Sequence, residues 1–232
     1  MRNVELYPQL QQNRELVKRL TGFFAVQPQT YEIAVFGALA ADTADRWSAV
    51  DLIVVTAHTE DQPTLFATLR DHHTVIYHRP FMRDPNGPGA YVYGVLLAGV
   101  SPFHLVNLHF LTLTERNQPE IRSRYYGIRR LHQMIVAPSP TPAQATTLPA
   151  EAETVEEARV YDATNSLRRA LRQVLQQHSR PDTLNAPRTQ LETILASHPN
   201  GIPSLHGDVC VLAQHYLKMT AIALRAEHET HD

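Results

Sequence analysis

The first half of the chain alternates between helical and extended hydrophobic rhythms. From Pro8 to Phe24 the apolar residues Leu10, Leu16, Leu20, Phe23 and Phe24 recur at helical spacing, which predicts an amphipathic helix. Tyr31 to Phe36 is a short β-rich run that ends at Gly37, the pattern of a buried strand entering a turn. Val50 to Thr56 is a second such run. Its unbroken apolarity (Val50, Leu52, Ile53, Val54, Val55) predicts a strand covered on both faces. Asp61 to Pro63 form a helix start signal before a helix over Thr64 to Arg70, and Thr74 to Tyr77 reads as a brief third strand. The segment Arg83-Asp84-Pro85-Asn86-Gly87-Pro88-Gly89 is dense in turn formers and reads as a loop. Beyond it, Tyr91 to Leu97 and Phe103 to Leu113 are β-rich and separated by a short turn, the signature of an antiparallel hairpin.

Between Ala137 and Pro149 the composition shifts to Pro, Ser, Thr, Ala and Gln, as in a linker or extended surface segment. Helical periodicity then takes over. Val155, Leu167, Leu171, Val174 and Leu175 mark one helix, Arg188 to Ser197 a second, and Ser204 to Glu227 a third. The expected organisation is therefore an α+β (α/β) domain over residues 1–137, a Pro-rich linker over 138–150 and a helical bundle over 151–232.

Composition narrows the classes of function. The chain has 232 residues, 43% of them hydrophobic and 19% charged, with a formal net charge of −2. Such a balance is that of an ordinary globular protein and argues against one whose main task is gripping nucleic acid through its phosphates. A single cysteine, Cys210, gives no internal disulfide and no pointer to an oxidising compartment. The polar start, Met1 to Glu5, lacks the apolar core of a signal peptide, and stretches such as Gly94 to Val100 fall far short of a membrane span. A cytoplasmic protein with no membrane partner is the expectation.

The segment with chemical content runs from Phe36-Gly37-Ala38 through Ser48-Ala49-Val50-Asp51, with Val106-Asn107-Leu108 on a later strand. This arrangement resembles the signature of the polymerase-β-like nucleotidyltransferase superfamily, especially its minimal and antibiotic-modifying branches. That signature is a strand, a Gly-Ser turn, a spacer of about ten residues and an Asp-x-Asp pair, with a third carboxylate further on. The resemblance spans roughly Glu32 to Leu113, and the helical tail matches the accessory bundle of many members. It implies a nucleotidyltransferase-like mixed sheet, ATP-like nucleotide and magnesium as cofactors if the chain is active, and a homodimer that completes the cleft between subunits.

The chemistry explains the pattern. Two divalent ions clamp the attacking and leaving oxygens of phosphoryl transfer, and such ions take oxygen ligands. Residues two apart on a strand share a face, so Asp-x-Asp presents both carboxylates together. A glycine turn lets backbone approach a phosphate. In this chain Ala38 stands at the turn serine, Ala49 at the first carboxylate and Asn107 at the third, while Ala41-Asp42 replaces a common Arg-Gly. Asp51 alone remains as a catalytic or metal-binding candidate. Gly37, Ala38, Ser48, Ala49, Asn107 and His109 are the positions of this degenerate site, with Gly37 and Ala38 as the nucleotide-facing turn.

Several readings stay open at this level. The chain is a catalytically degenerate member binding a nucleotide, small ligand or protein partner, or an active transferase recruiting Asp42 or Asp45 as substitute ligands. A third is a toxin–antitoxin type component acting through Arg172 and His178, spaced as in helical ribonucleases. Asp51 is a ligand or a structural acceptor of turn N–H groups; Asn107 is a site residue or a buried tie between strands; His109 is a base, a ligand or a satisfied histidine. Arg122, Arg124, Arg129 and Arg130 with Tyr125 and Tyr126 read as a solvated basic face or a phosphate site. His72, His73, His78, His198, His206, His215, His228 and His231 show no metal spacing and read as surface residues.

Overall fold

The chain's most apolar strand lies in the interior of its sheet, where apolar side chains on both faces can be buried at once. The computed structural model describes residues 8–45, 48–81, 91–101, 103–119, 123, 125, 127–134, 155–198 and 207–229, with backbone alone at 8–10, 76–81, 91, 157, 207–209 and 226–229. They fall into two units, Met1–Pro149 and Ala150–Asp232. In the first, α1 (Pro8–Ala25) leads to β1 (Thr30–Phe36), a four-residue helix α2 (Gly37–Ala40), β2 (Val50–Thr56), α3 (Asp61–His72), β3 (Val75–Phe81), β4 (Tyr91–Leu97), β5 (Val106–Thr112), a short α4 (Leu113–Arg116) and β6 (Arg129–Gln133). The strands form one six-stranded sheet in the order β3-β4-β5-β2-β1-β6. Only the β2–β5 pairing is parallel; the other four are antiparallel. The class is thus mixed α and β, a mixed sheet with flanking helices followed by C-terminal helices.

Period-two alternation divides the sheet into two cores. Leu52 and Val54 of β2, Ile33 of β1, Tyr93 and Val95 of β4 and Leu108 and Phe110 of β5 meet Leu16, Leu20 and Phe24 of α1 and Leu65, Phe66 and Leu69 of α3. Leu16, Leu20 and Phe24 are spaced four apart, so α1 presents a single apolar stripe. Phe66 stacks on Tyr93 with ring centroids 3.9 Å apart. On the other face Ala34, Phe36, Ile53, Val55 and Leu111 gather around Tyr125.

The structure departs from the sequence expectation in several places, among them the start of β5 at Val106 rather than Phe103. Helix α3 begins at Asp61, so the start signal forms its first turn, and β3 runs on to Phe81. Arg129 and Arg130, expected in a solvated basic cluster after the last strand, belong instead to a sixth strand that pairs with β1. Burial of apolar residues does not hold β6 in place, because Arg129, Arg130, Leu131 and Gln133 are exposed. Charge does. The Arg130 Nε lies 3.3 Å from Oε2 of buried Glu32, and the Arg116 Nη2 lies 3.2 Å from its Oε1. A capping box at Thr112 and Glu115 starts α4 and so directs Arg116. The loop at 83–89, the linker at 138–150, and Arg122, Arg124 and Tyr126 lie outside the described residues.

The second unit contains α5 (Val155–Leu175), a 3₁₀ turn (Pro181–Leu184), α6 (Asn185–Ala196) and α7 (Gly207–Glu229). Its buried residues include Val160, Leu167 and Leu171 of α5, Leu191 of α6 and Ala213 and Tyr216 of α7. Among the described residues no helix is long and apolar enough to cross a membrane.

Removing Glu32 would strand the largely buried Arg116 guanidinium, whose side chain is 14% exposed. Glu32→Ala is expected to lower the unfolding free energy by about 3 kcal/mol, the low end for breaking one side of a buried ion pair. Urea denaturation measures it, and a loss below about 1 kcal/mol would put this pair in the surface class.

Candidate functional site

Sheet register places the motif residues in one row. Phe36 is opposite Asp51 across the antiparallel β1–β2 pair, and Asp51 is opposite Asn107 across the parallel β2–β5 pair. Gly94 of β4 continues the row beside Asn107. Residues registered in this way project from the same face, and the Asn107 Nδ2 donates to the Asp51 Oδ1 at 2.7 Å. Where β1 ends, Gly37 adopts φ +68°, the left-handed region in which a side chain is strained. A Cβ at this position would stand 2.6 Å from the Asp51 Oδ2. Glycine is therefore required twice, by the backbone and by the carboxylate against it.

The other candidate positions flank this row. Ala38 is half-buried in α2, and its carbonyl accepts from the Thr43 N–H at 2.9 Å. The Ser48 hydroxyl donates to the Asp45 Oδ1 at 2.7 Å and accepts from the Asp45 N–H at 2.9 Å, closing the loop before β2. The carbonyl of Ser48 accepts from the Nδ2 of fully buried Asn13 at 3.0 Å, which ties that loop to α1. Ala49 follows, half-buried and two residues before Asp51.

His109 lies two residues along β5 from Asn107, one row deeper. Its Nδ1 is 3.2 Å from the Tyr125 hydroxyl, and its ring meets Phe36 edge-on at a centroid distance of 5.0 Å. Desolvation in this aromatic setting lowers its pKa to about 4, so the ring is neutral near pH 7. It sits as a packed, hydrogen-bonded residue of the aromatic cluster.

Asp42 and Asp45, the carboxylates that could substitute for missing ligands, have other partners. Asp45 holds Ser48. Asp42, itself at φ 56°, pairs at 3.1 Å with the Nη2 of Arg129, which also donates to the Ala40 carbonyl at 2.8 Å. The row offers one carboxylate and one carboxamide with its N–H turned toward that carboxylate, and Ala49 beside it adds only a methyl. Magnesium requires several oxygen ligands in near-octahedral order, and this donor set does not fit a pair of such ions. Among the described residues no three His, Cys, Asp or Glu side chains are grouped to hold a metal.

In the helical tail, Arg172 is in the last turn of α5, whereas His178 follows the helix, beyond Gln177 in a left-handed conformation at φ 59°. The two do not lie on one helical face. Of the histidines read as surface residues, His72 and His215 are exposed and His73 and His198 half-buried; side chains at His78, His206, His228 and His231 lie outside the described residues. His104 is fully buried.

Sequence reasoning missed Asn13 as a support of the site, and named Tyr125 and Arg129 only as members of a basic, aromatic cluster. Asn13 carried a usable signal, a polar residue in line with the buried stripe Leu16, Leu20 and Phe24. Compared with models of known protein families the chain matches none, and none of the curated proteins matches it in sequence.

Gly37→Ala is expected to destabilise the fold by about 1–2 kcal/mol from the left-handed backbone alone, and to displace Asp51 from Asn107. The Asn107 side-chain amide resonance would report that displacement, and an unchanged resonance would contradict it. His109 gives a pH signature. Its folded pKa, about 4, lies below the ordinary value of 6.5. The unfolded chain thus binds a proton that the folded chain refuses, and stability falls as pH drops from about 6.5 toward about 4. Full passage through this window is worth on the order of 3 kcal/mol. Denaturation curves of His109→Gln should lack that component; identical pH dependence in both proteins would remove it.

Proposed function

We propose that the first unit is a nucleotidyltransferase-like domain, related in plan to the polymerase-β-like superfamily, that binds a nucleotide-class ligand without efficient transfer chemistry. One observation carries the reading: Asp51 and Asn107 stand in register on parallel neighbours, directly against the left-handed Gly37 turn. A strand–glycine-turn–strand unit with a carboxylate against the turn is the geometry such an enzyme needs to bring metal and phosphate together. Here the remaining positions of that geometry are Ala49, Asn107 and Ala38, which supply neither the charge nor the hydroxyl. Charge-stabilising ligands contribute several kcal/mol to a transition state, and each lost increment of about 1.4 kcal/mol slows the reaction tenfold. Losing two carboxylates removes useful turnover while leaving a shaped turn that can still hold a ligand.

Calorimetric titration with ATP, GTP, CTP and UTP, each with and without magnesium, tests the reading. Binding of one nucleotide, weakened at least tenfold by Gly37→Ala, is the expected result, with no transfer of label from α-³²P nucleotide to protein or small-molecule hydroxyls. Absence of binding at millimolar concentrations of all four would overturn it.

A further inference from the structure

We infer that the Asn107 carboxamide occupies the role of a divalent cation, so that this cleft takes its ligand metal-free. The inference rests on the nucleotidyltransferase-like reading for the ligand's class, and on the donor geometry for the rest. Two facing carboxylates on neighbouring strands repel each other and are held together by an ion between them. At this row the second group is an amide, and its N–H, carrying partial positive charge, meets the Asp51 Oδ1 at 2.7 Å. That separation is in the range of a charge-assisted hydrogen bond. The amide thereby offers Asp51 a positive hydrogen-bond donor within the protein, where a carboxylate at the same position would add a second negative charge.

The surroundings reinforce that role. On its other side Asn107 is registered with Gly94, which has no side chain to draw the amide away. The second Asp51 oxygen, Oδ2, is so close to Gly37 that a methyl carbon there would stand 2.6 Å from it. For Asn107 to ligate an ion its amide would have to rotate, surrendering the bond to Asp51 and gaining only a neutral oxygen ligand. A metal-free cleft suits ligands recognised through base, sugar or a single phosphate better than triphosphates, whose charge is ordinarily screened by magnesium.

The replacement should be reversible at two positions. Manganese alone, titrated into the full chain and followed by electron paramagnetic resonance, provides the test. The wild-type protein is expected to show no stoichiometric site. Ala49→Asp combined with Asn107→Asp is expected to bind at least tenfold more tightly than wild type, and adding Asp51→Asn should abolish the gain. Asn107→Asp alone places two carboxylates face to face, so its Tm should fall and recover when manganese is added. That single variant decides the matter should the double variant lose its fold, as judged by circular dichroism.

A stoichiometric manganese site in the wild type that Asp51→Asn removes would overturn the inference. So would a folded double variant that binds no better than wild type. Nucleotide binding that requires magnesium would sink the metal-free role while leaving the cleft reading intact. No nucleotide binding under any condition, alongside manganese binding gained only in the double variant, would remove the nucleotide-class reading and leave the amide's role standing.

Discussion

The register between β2 and β5 is set by burial on both faces of two neighbouring strands. From Val50 opposite Val106 to Thr56 opposite Thr112 the pairing is parallel and unshifted. Leu52, Val54, Leu108 and Phe110 are committed to the core under α1 and α3, and Ile53, Val55 and Leu111 to the core around Tyr125. A slip of one residue in either strand would turn that strand over and drive its polar residue, Asp51 or Asn107, into the helix-covered core, where it could not remain solvated. The position of two polar residues is thus fixed by the apolar residues on either side of them. Gly37, Asn13 and Ser48 then arrange the loop that must reach the row.

The same face carries two carboxylates handled in different ways. Glu32 is buried and satisfied by two guanidinium groups, and this pairing joins the exposed edge strand β6 and the short helix α4 to β1. Asp51, at the opposite end of the same face and half-buried, meets a neutral amide and a glycine turn. Burial with full ionic pairing makes Glu32 a structural clamp. Asp51 is half-buried beside a left-handed glycine turn. Between them, the neutral His109 and the rings of Phe36 and Tyr125 form an apolar floor.

Much of the sheet and part of the site were legible in the residues. Continuous apolarity announced β2, helical spacing announced α1, and Asn107 stood out as a polar residue inside an apolar strand. Strand β6 was not legible, since Arg-Arg-Leu-His-Gln has no apolar alternation and is held by ion pairs and edge hydrogen bonding. Nor could the sequence say that Asp45 would be taken up by Ser48 or Asp42 by Arg129, because those partnerships depend on loop closure and on a strand almost ninety residues away. The choice among structural and chemical roles for His109 likewise turned on Tyr125, a neighbour only in three dimensions.

The sequence by itself determined the longer helices and the apolar strands, since hydrophobic period is a local property of the chain, but not the edge strand β6. It also determined which functional groups are available: a glycine at the turn, one aspartate, an asparagine and two alanines. Tertiary structure alone decided which of those groups meet. The in-register parallel pairing of distant strands brings the Asp51 carboxylate to the Asn107 amide, and the left-handed turn at Gly37 closes on the carboxylate's other oxygen. Contacts of this kind follow from the burial of many apolar side chains acting together, and no local run of residues encodes them.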